Sequence, residues 1–257
     1  MSDDNNYLNF VASSPNRSMT GREYIAAVRA CLRGIAEIDG RLSSLYILPR
    51  KFGGIKKSPL MAIDDPGLDA EIIKNLDHEV PYWEGERGVG DGNFTLDARS
   101  IFGFSSWFAT TTNDRKPHFS IQFDFGQNKE PYAIGTRDRI HFRITEDSEF
   151  AAIAKDIFVA VVEQFRPGHA AIWRPSVKAY PSQPLGTRMV GWLTYFDREE
   201  IAKLVPAGVQ VEQLSDGILI QAAEQAPFPE DEAACAAIAR VFHALQPHGV
   251  LERPGAR

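Results

Sequence analysis

The sequence has few cysteines, no long apolar run and no start that resembles a secretory signal. Cys31 and Cys235 are the two cysteines among 257 residues, and neither has the close Cys or His neighbours typical of a zinc site. We expect free thiols in a reducing compartment. No apolar run approaches the roughly 20 residues that span a bilayer, and the acidic start lacks the basic and apolar regions of a signal peptide. These absences predict a cytoplasmic protein without a membrane segment.

The chain also has fewer basic than acidic residues. The chain has 28 Lys and Arg against 34 Asp and Glu, a formal net charge of -6. We therefore expect no direct binding to nucleic acid, because contacts to phosphate depend on Lys and Arg. The negative charge is concentrated between residues 64 and 97, the acidic segment, where ten acidic residues are accompanied only by Lys74 and Arg87.

Motifs of common enzyme classes are missing as well. The sequence contains no GxSxG, no P-loop and no HExxH, and the glycines at 88–92 do not follow the GxGxxG pattern of a dinucleotide site. The six histidines are scattered, although His118 and His141 could be neighbours on adjacent strands and hold a metal ion. The acidic segment lacks the regular ligand spacing of a calcium loop. We predict no catalytic residue, no cofactor and no metal.

Apolar periodicity predicts a mixture of helices and strands. Thr20 followed by Glu23 is a capping box, and apolar residues at three- and four-residue spacing predict a helix from there to about residue 38. Residues 118–125 alternate cleanly, which predicts a strand with one apolar face. The pattern predicts further strands at 45–48, 102–112, 139–145, 176–180, 189–196, 209–214 and 218–223, and further helices at 69–76, 149–165, 198–204 and 230–245.

The order of these elements favours an α+β protein with antiparallel β-sheets and helices packed on one face, because the strands and helices are segregated along the chain. We expect a loose N-terminal arm at 1–18, an N-terminal α+β half at 19–168 and a C-terminal α+β half at 169–257. The two halves could be related to each other, or they could form one continuous domain, since a short helix interrupts the strands of the second half.

Three interpretations of the acidic segment are open: a solvated surface, a docking surface for a basic protein, and a metal or hydrolytic site. A docking surface would explain why like charges that repel each other lie together, because their field speeds the approach of a basic partner. Trp83 could anchor that partner, or it could be a core anchor of an irregular segment. The candidate partner contacts are Asp64, Asp65, Asp69, Glu71, Asp77, Glu79, Tyr82, Trp83, Glu84 and Glu86.

A motif in the second half carries a resemblance to a known family. Residues 189–196 read Met-Val-Gly-Trp-Leu-Thr-Tyr-Phe, and a short helix, a hairpin through Asp216-Gly217 and the helix at 230–245 follow. This order resembles the immunity protein 52 family of bacterial polymorphic-toxin systems, most sharply over residues 170–251. It is also similar to type VI secretion immunity proteins that share a Gly-Trp-Leu-Thr-Tyr strand.

The resemblance implies a protein that inactivates a cognate toxin by stoichiometric occlusion during competition between bacteria, without catalysis. The implied toxin is a nuclease effector of a type VI secretion system, and we expect its phosphate-binding cleft to be basic. Gly191, Trp192 and Tyr195 match the family motif, and we expect mainly structural roles, with contact between Trp192 and toxin as the alternative. A metal-dependent hydrolase that uses the acidic segment and a secretion-system adaptor remain open as other functions.

Overall fold

The structure is a computed structural model that describes residues 7–15, 17–48, 59–76, 96–97, 102–111, 118–127, 138–145, 149–175, 188–226 and 231–252. These residues contain ten strands and four α-helices, together with four short 3₁₀ helices. Every strand pairing with a described register is antiparallel. The predicted α+β class is therefore confirmed.

The elements follow one another in chain order. The strands are β1 Tyr7–Ser14, β2 Ser44–Leu48, β3 Leu60–Ala62, β4 Phe102–Ala109, β5 Phe119–Gln127, β6 Asp138–Thr145, β7 His169–Trp173, β8 Leu193–Phe196, β9 Gln210–Leu214 and β10 Gly217–Gln221. The α-helices are α1 Gly21–Ile38, α2 Leu68–Leu76, α3 Ala154–Phe165 and α4 Glu232–Leu245. The 3₁₀ helices are Gly40–Ser43, Glu149–Ile153, Glu199–Leu204 and Gln246–His248.

The chain divides into two compact units. The internal unit is Ser14–Arg143, and the terminal unit combines Met1–Ser13 with Ile144–Arg257. Strands of the internal unit lie in the order β3-β2-β4-β5-β6, and those of the terminal unit in the order β1-β7-β8-β10-β9. The sequence predicted a boundary near residue 168 instead, because the Pro-Gly after α3 is a local signal, whereas this division depends on contacts distant in sequence.

In the internal unit, α1 packs on an aromatic face of the strands. The alternation of β5 buries Phe119, Ile121, Phe123 and Phe125 completely. The fully buried ring of Tyr24 on α1 lies 5.2 Å from the Phe104 ring and 5.7 Å from the Phe125 ring. Its hydroxyl lies 2.5 Å from Ser106 Oγ, which satisfies the polar end of an otherwise apolar side chain.

The start of α1 agrees with its sequence signal. Thr20 Oγ1 accepts a hydrogen bond from Glu23 N at 3.2 Å, and Glu23 Oε2 accepts one from Thr20 N at 2.7 Å. This reciprocal pair is the capping box that the sequence predicts. The apolar spacing of the helix then buries Val28, Leu32 and Ile35.

In the terminal unit, the central strands are buried on both faces. Phe10 of β1 is the register neighbour of Ile172 on β7, and its ring packs edge-on against Phe158 of α3 at 5.3 Å between centroids. Phe196 and Ile218 point to the opposite face and join a core that includes residues of α4. Each face of these strands thus carries a helix, an addition to the predicted arrangement with helices on one face.

Two strands of the terminal unit differ from the sequence prediction. Residues 7–14, placed in a loose arm, form β1, where buried residues alternate and pair with β7. β7, with the sequence His-Ala-Ala-Ile-Trp, was not predicted, because a short strand buried on both faces shows no alternation. The predicted strand at 176–180 lies outside the described residues. Across the described ranges, no helix is long and apolar enough to cross a bilayer.

Candidate functional site

The structure describes the first part of the acidic segment. Asp64 and Asp65 lie in the turn between β3 and α2, and Asp69 and Glu71 lie in the first turn of α2, where a helix dipole favours negative charge. The six other candidate contacts, Asp77, Glu79, Tyr82, Trp83, Glu84 and Glu86, lie outside the described residues.

Arg29 of α1 holds the described part of the acidic segment in place. Its Nε donates to Asp69 Oδ1, its Nη1 donates to the carbonyl of Ile63 at 2.9 Å, and its Nη2 donates to that of Asp65 at 2.8 Å. The Arg29 side chain is only 14% exposed, so these charge-assisted bonds are partly shielded from water. Asp69 therefore connects α2 to α1, and it is also a candidate contact with another protein.

Three further ion pairs lie on the surface of the internal unit. Arg33 Nε lies 3.0 Å from Asp64 Oδ1, and Lys74 Nζ lies 3.3 Å from Glu71 Oε1. Arg22 Nε lies 3.1 Å from Asp97 Oδ1 at the far end of the acidic segment. Exposed pairs of this kind stabilise a fold by less than about 1 kcal/mol each. Their main consequence is electrostatic, because each cation offsets one acid.

The described acids therefore carry less net charge than the sequence suggests. The arginines that face Asp64 and Asp69 belong to α1, about thirty to forty residues earlier in the chain. A count within the acidic segment misses them, since proximity along the chain is not proximity in the fold. The segment also contains acids that belong to none of the ion pairs described above, and these are Asp65, Asp77, Glu79, Glu84, Glu86 and Asp91.

A second polar surface lies on the face of β4, β5 and β6 that points away from Tyr24. Ser105 is the register neighbour of Asp124, and its Oγ donates to Asp124 Oδ1 at 2.5 Å. Gln122 Nε2 donates to the same carboxylate at 3.0 Å. Burial, together with the charge of Arg143, lowers the pKa of nearby His141 to about 4, and the charge of Asp124 opposes the shift.

The described His, Cys, Asp and Glu side chains do not form a metal site. In the part of the chain that the structure describes, no group of three or more His, Cys, Asp or Glu could hold a metal ion. The thiols are also poorly suited to nucleophilic chemistry, because burial raises the pKa of Cys31 to about 12 and also raises that of Cys235.

The Gly-Trp motif lies where the chain enters β8. A Cβ atom on Gly191 would lie 2.2 Å from the carbonyl oxygen of Ile172, so only glycine fits this approach. Trp192 is 6% exposed, and its Nε1 donates to the carbonyl of Ala223 at 2.9 Å. Its backbone N donates to the same Ile172 carbonyl at 2.9 Å. The motif thus connects β7, β8 and the chain after β10.

Tyr195 completes the motif from within β8. The side chain is buried, and burial, with the neighbouring charges of Asp197 and Asp216, raises the pKa of Tyr195 to about 12. A Cβ atom on Gly217 would lie 2.8 Å from its hydroxyl. The Tyr195 hydroxyl therefore stays protonated and lies close to the backbone of the β9–β10 turn.

Comparison with known proteins identifies the fold without identifying a family. No model of a protein family matches the chain, and no curated protein matches it in sequence. The resemblance to the immunity protein 52 family stays a prediction. One solved structure with a similar fold is the Pseudomonas aeruginosa T6SS protein PA0821, with a TM-score of 0.58 at 14% sequence identity. The match covers 95% of this chain and 76% of that one.

Proposed function

We propose that this protein is an immunity protein of a type VI secretion system that binds and neutralises a cognate antibacterial toxin. The observation that carries the proposal is the likeness in fold to the T6SS protein PA0821, which extends over nearly the whole chain. The Gly-Trp-Leu-Thr-Tyr motif at residues 191–195, which resembles that of immunity proteins, supports the same function.

The proposed toxin is a nuclease with a basic surface. A nuclease must hold a phosphate backbone, so positive charge surrounds its cleft. The acids of residues 77–91 offer complementary charge, with Tyr82 and Trp83 as apolar anchors between them. Complementary charge of this kind accelerates association more than it strengthens the final complex. Inhibition then consists of covering the toxin in a one-to-one complex, in the cytoplasm, with no bond made or broken.

The protein encoded beside this chain is the natural probe, because an immunity protein has to be produced together with its toxin. We expect this neighbour to degrade plasmid DNA alone, and to lose that activity when one equivalent of this protein is added. A secretion-system adaptor would bind without inhibition, and a hydrolase would act on a substrate without a partner. Undiminished DNA cleavage at a tenfold excess would refute the proposal.

Charge reversal tests the proposed surface. The double variant Glu84→Lys and Glu86→Lys should lower the association rate about tenfold at low salt and change the dissociation rate much less. Asp64→Lys is the matched control, because Arg33 already offsets that exposed carboxylate. Asp69 is unsuitable, since its replacement also breaks the contact with Arg29. Equal association rates for wild type and the double variant would exclude this surface.

A further inference from the structure

The outer edge of β9 has the properties of a strand-docking site. Among the described strands, β9 is the last in its order, and β10 is its one partner there. Gln210, Val211, Glu212 and Gln213 are all exposed, and the strand contains no Pro or Lys, two residues that commonly protect an edge from further pairing. The two-residue turn at 215–216 fixes its register with β10.

The direction of the free backbone groups follows from this register. Ala222 N donates to the carbonyl of Trp192 on the β8 side of β10. Backbone groups alternate along a strand, so Leu219, three residues earlier, faces β9 and pairs there with Glu212. The backbone N–H and C=O groups of Val211 and Gln213 must then point away from β10, to the outer edge. We call these two residues the β9 edge.

Negative charge lies on both sides of the β9 edge. Glu163 of α3 accepts hydrogen bonds from Ser215, and Glu199 of the nearby 3₁₀ helix accepts one from Gln213 at 2.9 Å. Both donors are uncharged, so these hydrogen bonds leave the carboxylates negative. The neighbouring Glu212 and Asp216, by contrast, are paired with Lys155 and Arg166.

We infer that the β9 edge binds an extended, basic strand of the partner protein by strand addition. Main-chain hydrogen bonds to Val211 and Gln213 would supply affinity, and Lys or Arg side chains would lie beside Glu163 and Glu199. A second copy of this chain is a poorer occupant, because the two-fold register that pairs Val211 of one copy with Gln213 of the other places Glu212 opposite its own copy. The identity of the partner as a toxin rests on the proposed function.

Hydrogen exchange of the full chain tests the inference without a toxin. The probe is an acetylated and amidated (Val-Lys)₄ peptide, compared with (Val-Glu)₄. In the free protein, we expect fast exchange at Val211 and Gln213 and slow exchange at Glu212, whose amide bonds to β10. The Lys peptide should slow exchange at the two edge amides at least about tenfold, and the Glu peptide should not. Slow edge exchange in the free protein, or no protection by the Lys peptide, would overturn the inference.

Two variants test the backbone hydrogen bonds and the carboxylate charges separately. Val211→Pro removes one outward N–H and leaves the β10 pairing intact, so it should weaken binding of the Lys peptide at least about tenfold, whereas Val211→Thr should bind normally. Glu163→Gln with Glu199→Gln should weaken binding about threefold or more, and this pair keeps the test valid if the proline variant unfolds. If the folded variants bind the Lys peptide as tightly as wild type does, strand addition is refuted. That result leaves the proposed function unaffected. Failure of the wild type to inhibit the toxin refutes the proposed function, whatever the peptide does.

Discussion

At the scale of single residues, Gly191 is a position where the backbone tolerates no side chain. A Cβ atom there would lie 2.2 Å from Ile172 O, far inside any contact distance, so the backbone of β7 or the entry to β8 must move. Gly191→Ala should therefore lower the free energy of unfolding by about 2 kcal/mol or more.

Gly40→Ala is the matched control, because a Cβ atom at that position meets nothing within 4 Å. Its effect should stay within about 0.5 kcal/mol. Urea denaturation of the two variants measures the difference. Equal stabilities would show that the close approach at Gly191 is not a constraint on the fold.

His141 makes stability depend on pH. Its pKa is lowered from 6.5 to about 4 in the folded chain, so the unfolded chain binds more protons between those values and stability falls as pH falls from 6.5 to 4. The full loss from this residue is on the order of 3 kcal/mol. His141→Gln should flatten this part of the stability curve. Parallel curves for wild type and His141→Gln would contradict the assignment.

The sequence predicts single residues well where the signal is local. Thr20 and Glu23 are three positions apart, and their capping box is present. Arg29 and Asp69 are 40 positions apart, and nothing in the sequence indicates that one faces the other. The sequence does not reveal the arginines that offset Asp64 and Asp69 for the same reason, because they belong to another element.

At the scale of elements, the attachment of α2 to α1 depends on Arg29. Arg29→Gln removes the charged bond to Asp69 and the paired bonds to the carbonyls of Ile63 and Asp65. We expect a loss of about 2 kcal/mol in unfolding free energy. Arg33→Gln, which affects only an exposed pair with Asp64, should cost less than about 1 kcal/mol. Similar losses for both variants would show that Arg29 has no special role.

Helix α1 offers a second test at this scale. Thr20→Ala removes the side-chain acceptor of the capping box and should destabilise the protein by about 1 kcal/mol. Glu23→Gln keeps an acceptor for Thr20 N and should cost clearly less. Thermal unfolding followed by circular dichroism compares the two, and a larger loss for Glu23→Gln would contradict this view of the helix start.

Alternation of apolar and polar residues predicts a strand most directly when one face of the strand is buried and the other is not. β5 has one apolar face, and its alternation indicated a strand directly. β7 is buried on both faces between α3 and α4, so its apolar run has no period that marks it as a strand. The buried residues of β1 alternate as well, although the sequence predicted a loose arm for this stretch.

At the scale of the whole molecule, each of the two units carries one of the surfaces that we propose for partner binding. The internal unit displays the ion-paired start of the acidic segment, and the terminal unit displays the β9 edge. Large buried aromatic side chains stabilise each unit, which leaves loops and edges available for recognition.

The most direct test of the central claim is survival of bacteria that produce the neighbour-encoded protein in their cytoplasm. We predict that cells producing only the neighbour-encoded protein die, and that cells producing it together with this chain grow normally. The Gly40→Ala variant should protect as well as wild type. Cell death at equal levels with and without the wild-type chain, with both proteins present in soluble form, would contradict the account.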